Sequence, residues 1–340
     1  MNTNATPATS RLQSDLTRRK FLRNSTITAS ALSYSRIAAR AAGKEDSAAI
    51  NIALVGCGQQ GMAALTASTV RIPGIRFAAV CDLWDQKRIS AKRSIDPAGK
   101  VGTQDFAEMS EMLAKVKEVD AVLIATPDWL HAPYSRQALE AGKHVYCEKM
   151  MSNSIEAAAD MVKAQRQTGK LLQIGHQRRS NPRYRFMRDQ LLREKRLLGQ
   201  VTHLYGQWNR SVKNPLLPKV GAAEVEKFKK AGYANLFEFA NWRWFKKYGG
   251  GPISDLGAHQ IDIFNWILGT TPKSLTAAGG LDYYKNRDLP DGTKFSYEHL
   301  DNAVLIYDYD TPEFGLVRVV YQVLTTNGSP VSYTHLRAHE

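Results

Sequence analysis

A glycine-rich turn between an apolar run and a helical pattern most constrains the fold of this chain. Residues 50–55 are apolar and rich in β-branched side chains, which is typical of a buried parallel strand, and residues 62–70 follow the turn as a helix. A G-x-G-x-x-G turn in this position allows a tight bend, close approach of a pyrophosphate and close helix–strand packing. We expect the turn to bind a dinucleotide through Gly56, Gly58, Gln59, Gln60 and Gly61.

An acidic residue marks the end of the next predicted strand, 76–81. Asp82 lies 21 residues beyond Gly61, where a carboxylate hydrogen-bonds ribose hydroxyls and repels a 2′-phosphate. This position favours NAD over NADP as the cofactor. NADP stays possible because of three nearby side chains, Trp84, Lys87 and Arg88.

Strands and helices continue to alternate through the first half of the chain. The pattern predicts helices at 106–113 and 131–141 and strands at 120–126 and 143–147. Alternation at this spacing indicates an α/β fold with a doubly wound parallel sheet, a Rossmann domain whose ligand lies beyond the carboxyl ends of the strands. Side chains expected at those ends are Thr126, Pro127, Asp128, Glu148 and Lys149.

The pattern changes in the second half of the chain. Residues 201–208, 302–309 and 316–324 alternate like strands of an open, mainly antiparallel sheet, and a Lys-rich, partly helical insertion covers 210–247. These features predict an α+β domain with helices on one face of its sheet. The expected division of the chain is a signal at 1–42, the Rossmann domain at 50–175, the α+β domain at 176–330 and a tail at 331–340.

The first 42 residues have the pattern of an export signal. Arg18 and Arg19 precede a weakly apolar run rich in Ser, Thr and Ala, and Ala39-Arg40-Ala41 is similar to a cleavage site. The segment resembles a twin-arginine (Tat) signal, and the alternative is a disordered basic leader. A Tat signal implies a partner, the Tat machinery, and export of the folded protein to the periplasm or beyond. A cofactor carried there has to be held tightly and regenerated on the enzyme.

The net charge of +14 does not indicate nucleic-acid binding. Eight basic residues against two acids lie in 1–45, which leaves about +8 for the remainder, and no nucleic-acid motif occurs. No apolar run reaches the length of a membrane span, so no stable membrane insertion is expected. No His/Cys spacing indicates a metal site. Three cysteines are expected to be small buried hydrophobic residues, namely Cys57, Cys81 and Cys147.

An ordered set of motifs over residues 50–328 resembles the Gfo/Idh/MocA family of oxidoreductases. The set comprises the glycine turn, 125–128 with His131, Glu148-Lys149, 175–182, and 255–262. One departure is Met150, where the family usually has proline, and we expect the turn after Lys149 to be looser for it. The resemblance adds Thr126, Pro127, His131, Glu148 and Lys149 to the expected cofactor contacts.

Lys149, Asp255 and His259 are the expected catalytic residues, as the resemblance implies. An ammonium near the nicotinamide can polarise a substrate oxygen, and a histidine can take a hydroxyl proton as hydride leaves the same carbon. Asp255 and His259 are four residues apart on a predicted helix, so the carboxylate can orient the imidazole or bind substrate. The structural alternatives are a lysine at the sheet edge and a packed histidine.

Substrate contacts are expected from Arg179, Tyr184, Trp242 and Asp262, each with a structural alternative. Asp262 can orient His259 or form an ion pair, and Trp242 can stack on a sugar ring or pack between domains. The leading hypothesis is hydride transfer between tightly held nicotinamide and a sugar or polyol. An NAD-dependent glycosidase and a non-catalytic sensor are the alternatives.

The open sheet and the end of the chain carry two further expectations. Family members often pair the exposed faces of such sheets, so a homo-oligomer is expected. Residues 332–340 show neither strand nor helix patterning and resemble a translated non-native tail.

Overall fold

The computed structural model describes residues 49–211, 215–289 and 291–338, and it describes their side chains except those of 211 and 327–338. The expected twin-arginine segment and cleavage site lie outside the described residues. No helix in the described ranges is long and apolar enough to cross a bilayer.

Six parallel strands form the sheet of the first domain. They are β1 Ile50–Val55, β2 Ile75–Cys81, β3 Gln104–Phe106, β4 Ala121–Ile124, β5 His144–Glu148 and β6 Leu172–Gly175. Their spatial order is β3-β2-β1-β4-β5-β6, and every neighbouring pair is parallel. This order is that of a doubly wound dinucleotide-binding sheet, with its ligand crevice between β1 and β4. The predicted Rossmann domain is confirmed.

Helices cover both faces of this sheet. They are α1, which is a π-helix over Gln60–Thr66 and continues over Ala67–Thr69, then α2 Asp85–Ile95, α3 Met109–Lys115, α4 Asp128–Glu140 and α5 Ile155–Thr168. In β1, Ile52 and Leu54 enter one buried cluster while Ala53 and Val55 enter the other. Burial on both faces explains why this strand is apolar throughout rather than alternating.

One predicted helix boundary in this domain is wrong. Phe106 was expected to begin a helix, but it ends β3 and pairs with Cys81 of β2. A three-residue strand has no measurable periodicity, so only its partner strand reveals it.

The second domain has a five-stranded mixed sheet. Its strands are β7 Val201–Ser211, β8 Ser274–Gly280, β11 Asn302–Thr311, β12 Gly315–Leu324 and β13 Thr326–Ala338, and a separate hairpin contains β9 Arg287–Asp288 and β10 Lys294–Phe295. The order is β13-β7-β12-β11-β8. The β7–β12 pair is parallel and the others are antiparallel, so the predicted antiparallel sheet is confirmed except at that pair.

The described part of the tail is a strand, which corrects the expectation for 332–338. β13 pairs antiparallel with β7, with Ser332 opposite Trp208. The backbone N–H and C=O groups along the edge of β7 can pair with another strand. The sequence of the tail itself does not show this pairing, so no strand was predicted there.

One face of this sheet is covered by a single long helical segment. The remaining helices are α6 (Pro182–Phe186, then a π-helix over Met187–Glu194), α7 Ala222–Lys230, α8 Leu236–Ala240 and α9 (a π-helix over Ile253–Gly257, then an α-helix over Ala258–Leu268). Ile263, Phe264 and Ile267 of α9 pack on the buried side of the sheet. At Gly206 of β7, a Cβ would lie 2.6 Å from the Phe264 ring, so only glycine allows this close approach.

An aromatic cluster joins the 210–247 insertion to the first domain. Trp84 and Trp129 of the first domain pack with Phe228, Tyr233 and Tyr248 of the second. The Trp129 indole Nε1 donates to the Tyr233 hydroxyl at 3.3 Å, and its backbone N–H donates to the Tyr248 carbonyl. The insertion is thereby fixed beside the carboxyl ends of β2 and β4.

Candidate active site

The three glycines of the turn have two different functions in the structure. Gly56 has φ +95° and a Cβ there would lie 2.5 Å from the Ala125 carbonyl oxygen, while a Cβ on Gly61 would lie 2.0 Å from the Gly56 carbonyl oxygen. A Cβ on Gly58 would have no other atom within 4 Å. The outer glycines therefore permit close packing of the backbone, and the middle one faces open space.

Asp82 shapes the same turn from the end of β2. Its Oδ2 accepts a hydrogen bond from the Cys57 backbone N–H at 2.7 Å, and its Oδ1 accepts one from Trp84 at 2.8 Å. Burial raises the pKa of Asp82, and these two hydrogen bonds oppose the rise. The carboxylate is therefore held beside the turn, where ribose hydroxyls are expected.

Arg88 is one of the two cations that left NADP possible. It donates to Asp85 at 2.7 Å and to Asp105 at 3.0 Å. A guanidinium paired with two carboxylates is poorly placed to bind a 2′-phosphate, so this arrangement favours NAD.

The described residues fit a dinucleotide. The first turn of α1 has backbone N–H groups without intrahelical partners, and Gln59 is exposed at its start. The hydroxyl of Thr126, after β4, is buried without a hydrogen-bond partner among the described residues. Pro127 caps the start of α4. A bound phosphate would fit the open space at Gly58. A bound dinucleotide would also give the Thr126 hydroxyl, at the point where the strand order reverses, the hydrogen-bond partner that it lacks among the described residues.

Glu148 connects the glycine turn to the fifth strand. The Gln60 amide donates to Glu148 Oε1 at 3.1 Å, and the Tyr146 hydroxyl donates to the same oxygen at 3.3 Å. Gln60 and Glu148 were both expected to contact the cofactor, and the structure brings them together beside the turn.

His131 bridges the backbones that follow β4 and β5. Its Nδ1 lies 2.5 Å from the Met150 carbonyl oxygen and its Nε2 lies 2.8 Å from the Thr126 carbonyl oxygen. Both neighbours are acceptors, so both ring nitrogens must donate and the ring is an imidazolium. Burial alone would lower the pKa of His131, but Cys147, Asp128 and the Met150 carbonyl raise it to about 9. The structure does not support the expected direct contact with a cofactor, because both ring nitrogens are occupied by protein.

The turn after β5 is held by this bridge. The Lys149–Met150 peptide bond is cis, and the Met150 carbonyl is the one that His131 binds. Met150 therefore has a hydrogen-bond partner in this turn, and the looser turn expected from the loss of proline stays a prediction.

Lys149 and Asp255 meet across the two domains. Lys149 Nζ donates to the Asp255 backbone carbonyl at 2.5 Å and lies 3.4 Å from Asp255 Oδ1. Arg243 Nε donates to the same Oδ1 at 3.3 Å. Burial would raise the pKa of Asp255, but Arg243, Lys149 and Arg210 outweigh it and hold the pKa below its ordinary value.

His259 lies on α9 beside these charges, with its ring packed on Trp208. The ring centroids are 5.3 Å apart at 31°. Burial and then the positive charges of Lys149 and Arg178 lower the pKa of His259 to about 3, so the imidazole is neutral near pH 7. Among the described residues no hydrogen bond holds the ring. Asp255 forms no described hydrogen bond to His259, and its carboxylate meets Lys149 and Arg243, so its role in orienting the imidazole stays a prediction.

Asp262 pairs with Arg179 instead of His259. Arg179 Nε donates to both carboxylate oxygens at 2.9 and 3.0 Å, and its terminal nitrogen donates to Oδ1 at 2.6 Å. His176 Nδ1 lies 3.5 Å from the same carboxylate, and burial is the first cause of the lowered pKa of His176. The ion-pair alternative for Asp262 is therefore the one that the structure supports.

An open pocket of about 440 Å³ lies beside Arg178. Gln177, Arg178, Asn181 and Tyr184 line it. Arg178 lies over the Trp208 ring at 5.2 Å and donates to the Tyr184 hydroxyl at 3.3 Å. Tyr184 thus lines an open pocket, and its contact with substrate stays a prediction.

Trp242 is covered on one face. The Arg243 guanidinium lies 4.3 Å from the Trp242 ring centre, and Gly249 packs against the same residue. Trp244 and Tyr248 are buried in the interdomain aromatic cluster. Packing between domains therefore describes this stretch better than stacking on a sugar.

Several site residues were not predicted. Trp208 and Arg210 lie on β7, on the face that Gly206 presents to α9, and the two-residue alternation of that strand was the signal that could have grouped them. The described residues contain no group of three or more His, Cys, Asp or Glu side chains arranged to hold a metal ion. Cys57, Cys81 and Cys147 are free and buried, as predicted.

Two family models match the chain. Residues 50–176 match the oxidoreductase family with an NAD-binding Rossmann fold, and residues 190–329 match the GFO/IDH/MocA C-terminal domain.

Named relatives agree with these matches. Inositol 2-dehydrogenase 2 of Saccharopolyspora erythraea is 26% identical over 76% of this chain and 65% of its own length. D-glucoside 3-dehydrogenase of Escherichia coli is 27% identical over 66% of this chain and 55% of its own length. The chain thus spans less than two thirds of each of these relatives.

A solved structure of the WlbA dehydrogenase from Bordetella pertussis, in complex with NADH and UDP-GlcNAcA, has a similar fold. Its TM-score is 0.66 at 20% identity, covering 87% of this chain and 73% of the other. Together with the two model matches and the strand order of the first sheet, these findings mean that the chain belongs to the Gfo/Idh/MocA family of oxidoreductases, with an NAD-binding Rossmann domain.

Proposed function

We propose that the protein is an NAD-dependent oxidoreductase that acts on a hydroxyl or carbonyl group of a sugar or polyol. The observation that carries this proposal is a neutral, buried imidazole that lies near enough to an ammonium for that charge to lower its pKa. Lys149 is among the charges that lower the pKa of His259, and the same lysine is fixed to Asp255.

The residues divide the chemistry of alcohol oxidation between them. NAD, which Gly58, Asp82 and Thr126 would hold, would supply the hydride acceptor. The neutral His259 accepts the hydroxyl proton, which becomes acidic as the hydride departs. Lys149 stabilises negative charge developing on the oxygen, and the Asp255 carbonyl and carboxylate hold its ammonium in place. The products are a carbonyl compound, NADH and a protonated histidine, and the reverse sequence reduces a carbonyl.

The names of the relatives support this reading over its alternatives. Both relatives named above are dehydrogenases, one of a polyol and one of a glucoside. An NAD-dependent glycosidase and a non-catalytic sensor are not favoured by them.

A cofactor assay followed by a sugar panel tests the proposal. Native mass spectrometry of the purified protein should show bound NAD rather than NADP. Formation of NADH with sugars or polyols should then be followed by absorbance, and release of phenol from aryl glycosides without net NADH would favour the glycosidase instead. Absence of both bound cofactor and NADH formation contradicts the proposed function.

Export by the twin-arginine pathway is a second part of the proposal. The paired arginines at 18–19 support it, and they lie outside the described residues. Replacing both by lysine should keep the protein in the cytoplasm in a fractionation experiment, whereas an unchanged periplasmic fraction would contradict export by this route.

Assembly into a homo-oligomer is a third part. The sheet face opposite α9 exposes Val304, Ile306 and Leu316 by 39–60%. Apolar side chains grouped on an uncovered sheet face are typical of subunit contacts. Ile306→Lys should lower the mass measured by light scattering, while Ile89→Lys, at an exposed position on α2, should not.

A further inference from the structure

The charges around Asp255 do not balance. Three cations act on this one carboxylate, namely Arg243 at 3.3 Å, Lys149 at 3.4 Å and Arg210. Arg243 and Lys149 approach the same oxygen, Oδ1. Asp255 alone does not balance these three positive charges, and uncompensated charge is unfavourable in a largely buried place.

The neighbouring carboxylates have partners of their own. Asp128 accepts from Ser254 Oγ at 3.3 Å and interacts with the His131 imidazolium. Asp262 is bound by Arg179, and Glu148 accepts from two uncharged donors. Asp128 lies near enough to Lys149 and Arg243 for both charges to act on its pKa. Two carboxylates, Asp128 and Asp255, therefore stand against Lys149, Arg243, Arg210 and the His131 imidazolium, and positive charge remains in excess.

Arg210 and Arg243 are available to a ligand. Among the side chains that the structure describes, none forms a hydrogen bond or ion pair with the Arg210 guanidinium, and the alternation of β7 places Arg210 on the side of Trp208 and His259. Arg243 uses its Nε on Asp255, and its side chain is 42% exposed. The terminal nitrogens of both side chains retain the forked donors that match a carboxylate or phosphate.

We propose that the substrate is an anionic sugar whose carboxylate or phosphate pairs with Arg210 and Arg243. This inference rests on the proposed function and narrows its substrate class. Arg243 and Lys149 share one Asp255 oxygen, so the anionic group binds close to the hydroxyl that Lys149 polarises. Arg210 and Arg243 then select substrates by charge, and His259 and Lys149 perform the proton and charge transfer.

Matched pairs of neutral and acidic compounds test the substrate class. The pairs are D-glucose and D-glucuronate, D-galactose and D-galacturonate, D-glucitol and D-gluconate, and D-glucose and D-glucose 6-phosphate. The acidic member of at least one pair should have a kcat/KM about tenfold or more above its neutral partner, the size expected of a charge-assisted hydrogen-bond pair. Whether a carboxylate or the phosphate gives the gain identifies the anion.

Arg210→Gln separates charge recognition from folding. It should remove most of that preference, mainly by raising KM for the acidic member, so that the ratio of kcat/KM between acidic and neutral members falls about tenfold. Arg210→Lys should restore part of the preference, and Arg136→Gln, an exposed arginine of α4, should change nothing. Equal loss on acidic and neutral members, or no preference in the wild-type protein, overturns the proposal.

Titration calorimetry measures binding without catalysis, so it tests anion recognition separately from the proposed function. If no compound yields NADH, the proposed function fails, and binding of the acidic members is measured directly. Binding that weakens about tenfold in Arg210→Gln still supports anion recognition, and no binding of any acidic member overturns it.

Discussion

The nucleotide turn and the Lys149–Asp255–His259 cluster are built on different principles. The turn is made of backbone, and its contacts link neighbouring strand ends: Gly56 N–H bonds to the Cys81 carbonyl, and Ala125 N–H to the Val55 carbonyl. The cluster is made of polar and charged side chains from distant elements, with Lys149 and Asp255 separated by 106 positions in the sequence. Close packing of the backbone therefore determines the geometry of the turn, and electrostatic attraction between side chains determines the geometry of the cluster.

The two regions should consequently fail in different ways. A methyl group is enough to disrupt a turn in which backbones touch, and pH should matter little there. In the cluster, a change of one charge should alter the pKa and rate while the fold persists. The predictions below test that difference.

The largest effect is expected from Gly61→Ala. The new Cβ would lie 2.0 Å from the Gly56 carbonyl oxygen, so β1 and α1 must separate. We expect a loss of about 3 kcal/mol or more in the free energy of unfolding, together with loss of bound NAD. Chemical denaturation and cofactor content measure the two losses.

Gly58→Ala is the matched control for this prediction. Its Cβ meets no protein atom within 4 Å, so the free energy of unfolding should stay within about 0.5 kcal/mol while NAD affinity falls. Equal destabilisation by both substitutions would show that the turn is not determined by packing.

The first domain was largely predictable because its signals are local. The bounds of β1 are those predicted, since an apolar run ends at a glycine that must bend the chain. The sequence did not predict the strands whose position depends on pairing with another strand. β3 has three residues, and β13 pairs with β7 through a register that no period in its own sequence shows.

The next largest effect is expected from Lys149→Met, which keeps much of the side-chain volume and removes the charge. Loss of an ammonium that stabilises developing charge should lower kcat about 10²–10³-fold. Steady-state kinetics with a competent sugar measure this, and bound NAD should be retained.

Lys115→Met is the control, because Lys115 forms only an exposed ion pair with Glu111. Its kcat should match that of the wild-type protein. An unchanged kcat in Lys149→Met would remove this lysine from the mechanism.

The cluster was predictable in its members but not in its pairings. Lys149, Asp255 and His259 stand in recognisable motifs. That Asp255 faces Arg243, that Asp262 faces Arg179 across 83 residues, and that His259 packs on Trp208 all depend on how two domains meet. Side-chain partners at such separations are set by tertiary packing, for which a single chain contains no local signal.

His131 joins the two regions, and its charge should make stability depend on pH. Its pKa in the folded protein is about 9 against 6.5, so its stabilising contribution is complete below about pH 6.5 and is lost as the pH rises through 9. The shift corresponds to about 3 kcal/mol. His131→Asn should therefore lose most stability near pH 6 and much less near pH 10, as measured by urea unfolding. A loss independent of pH would mean that the ring is uncharged in the folded protein.

The smallest and most specific effect concerns His259, whose pKa moves in the opposite direction. Below pH 6.5 the unfolded chain binds a proton that folded His259, with a pKa of about 3, does not, so this residue lowers stability as the pH falls toward 3. NMR of histidine-labelled protein should show no titration of His259 between about pH 5 and 8. After burial, Lys149 is the foremost cause of the low pKa, so Lys149→Met should raise it, while Lys115→Met should leave it unchanged. If His259 titrated near 6.5 in the wild-type protein, the positive charges of Lys149 and Arg178 would not act on the ring. The contrast between a turn determined by packing and a cluster determined by charge would then fail at the residue assigned to proton transfer.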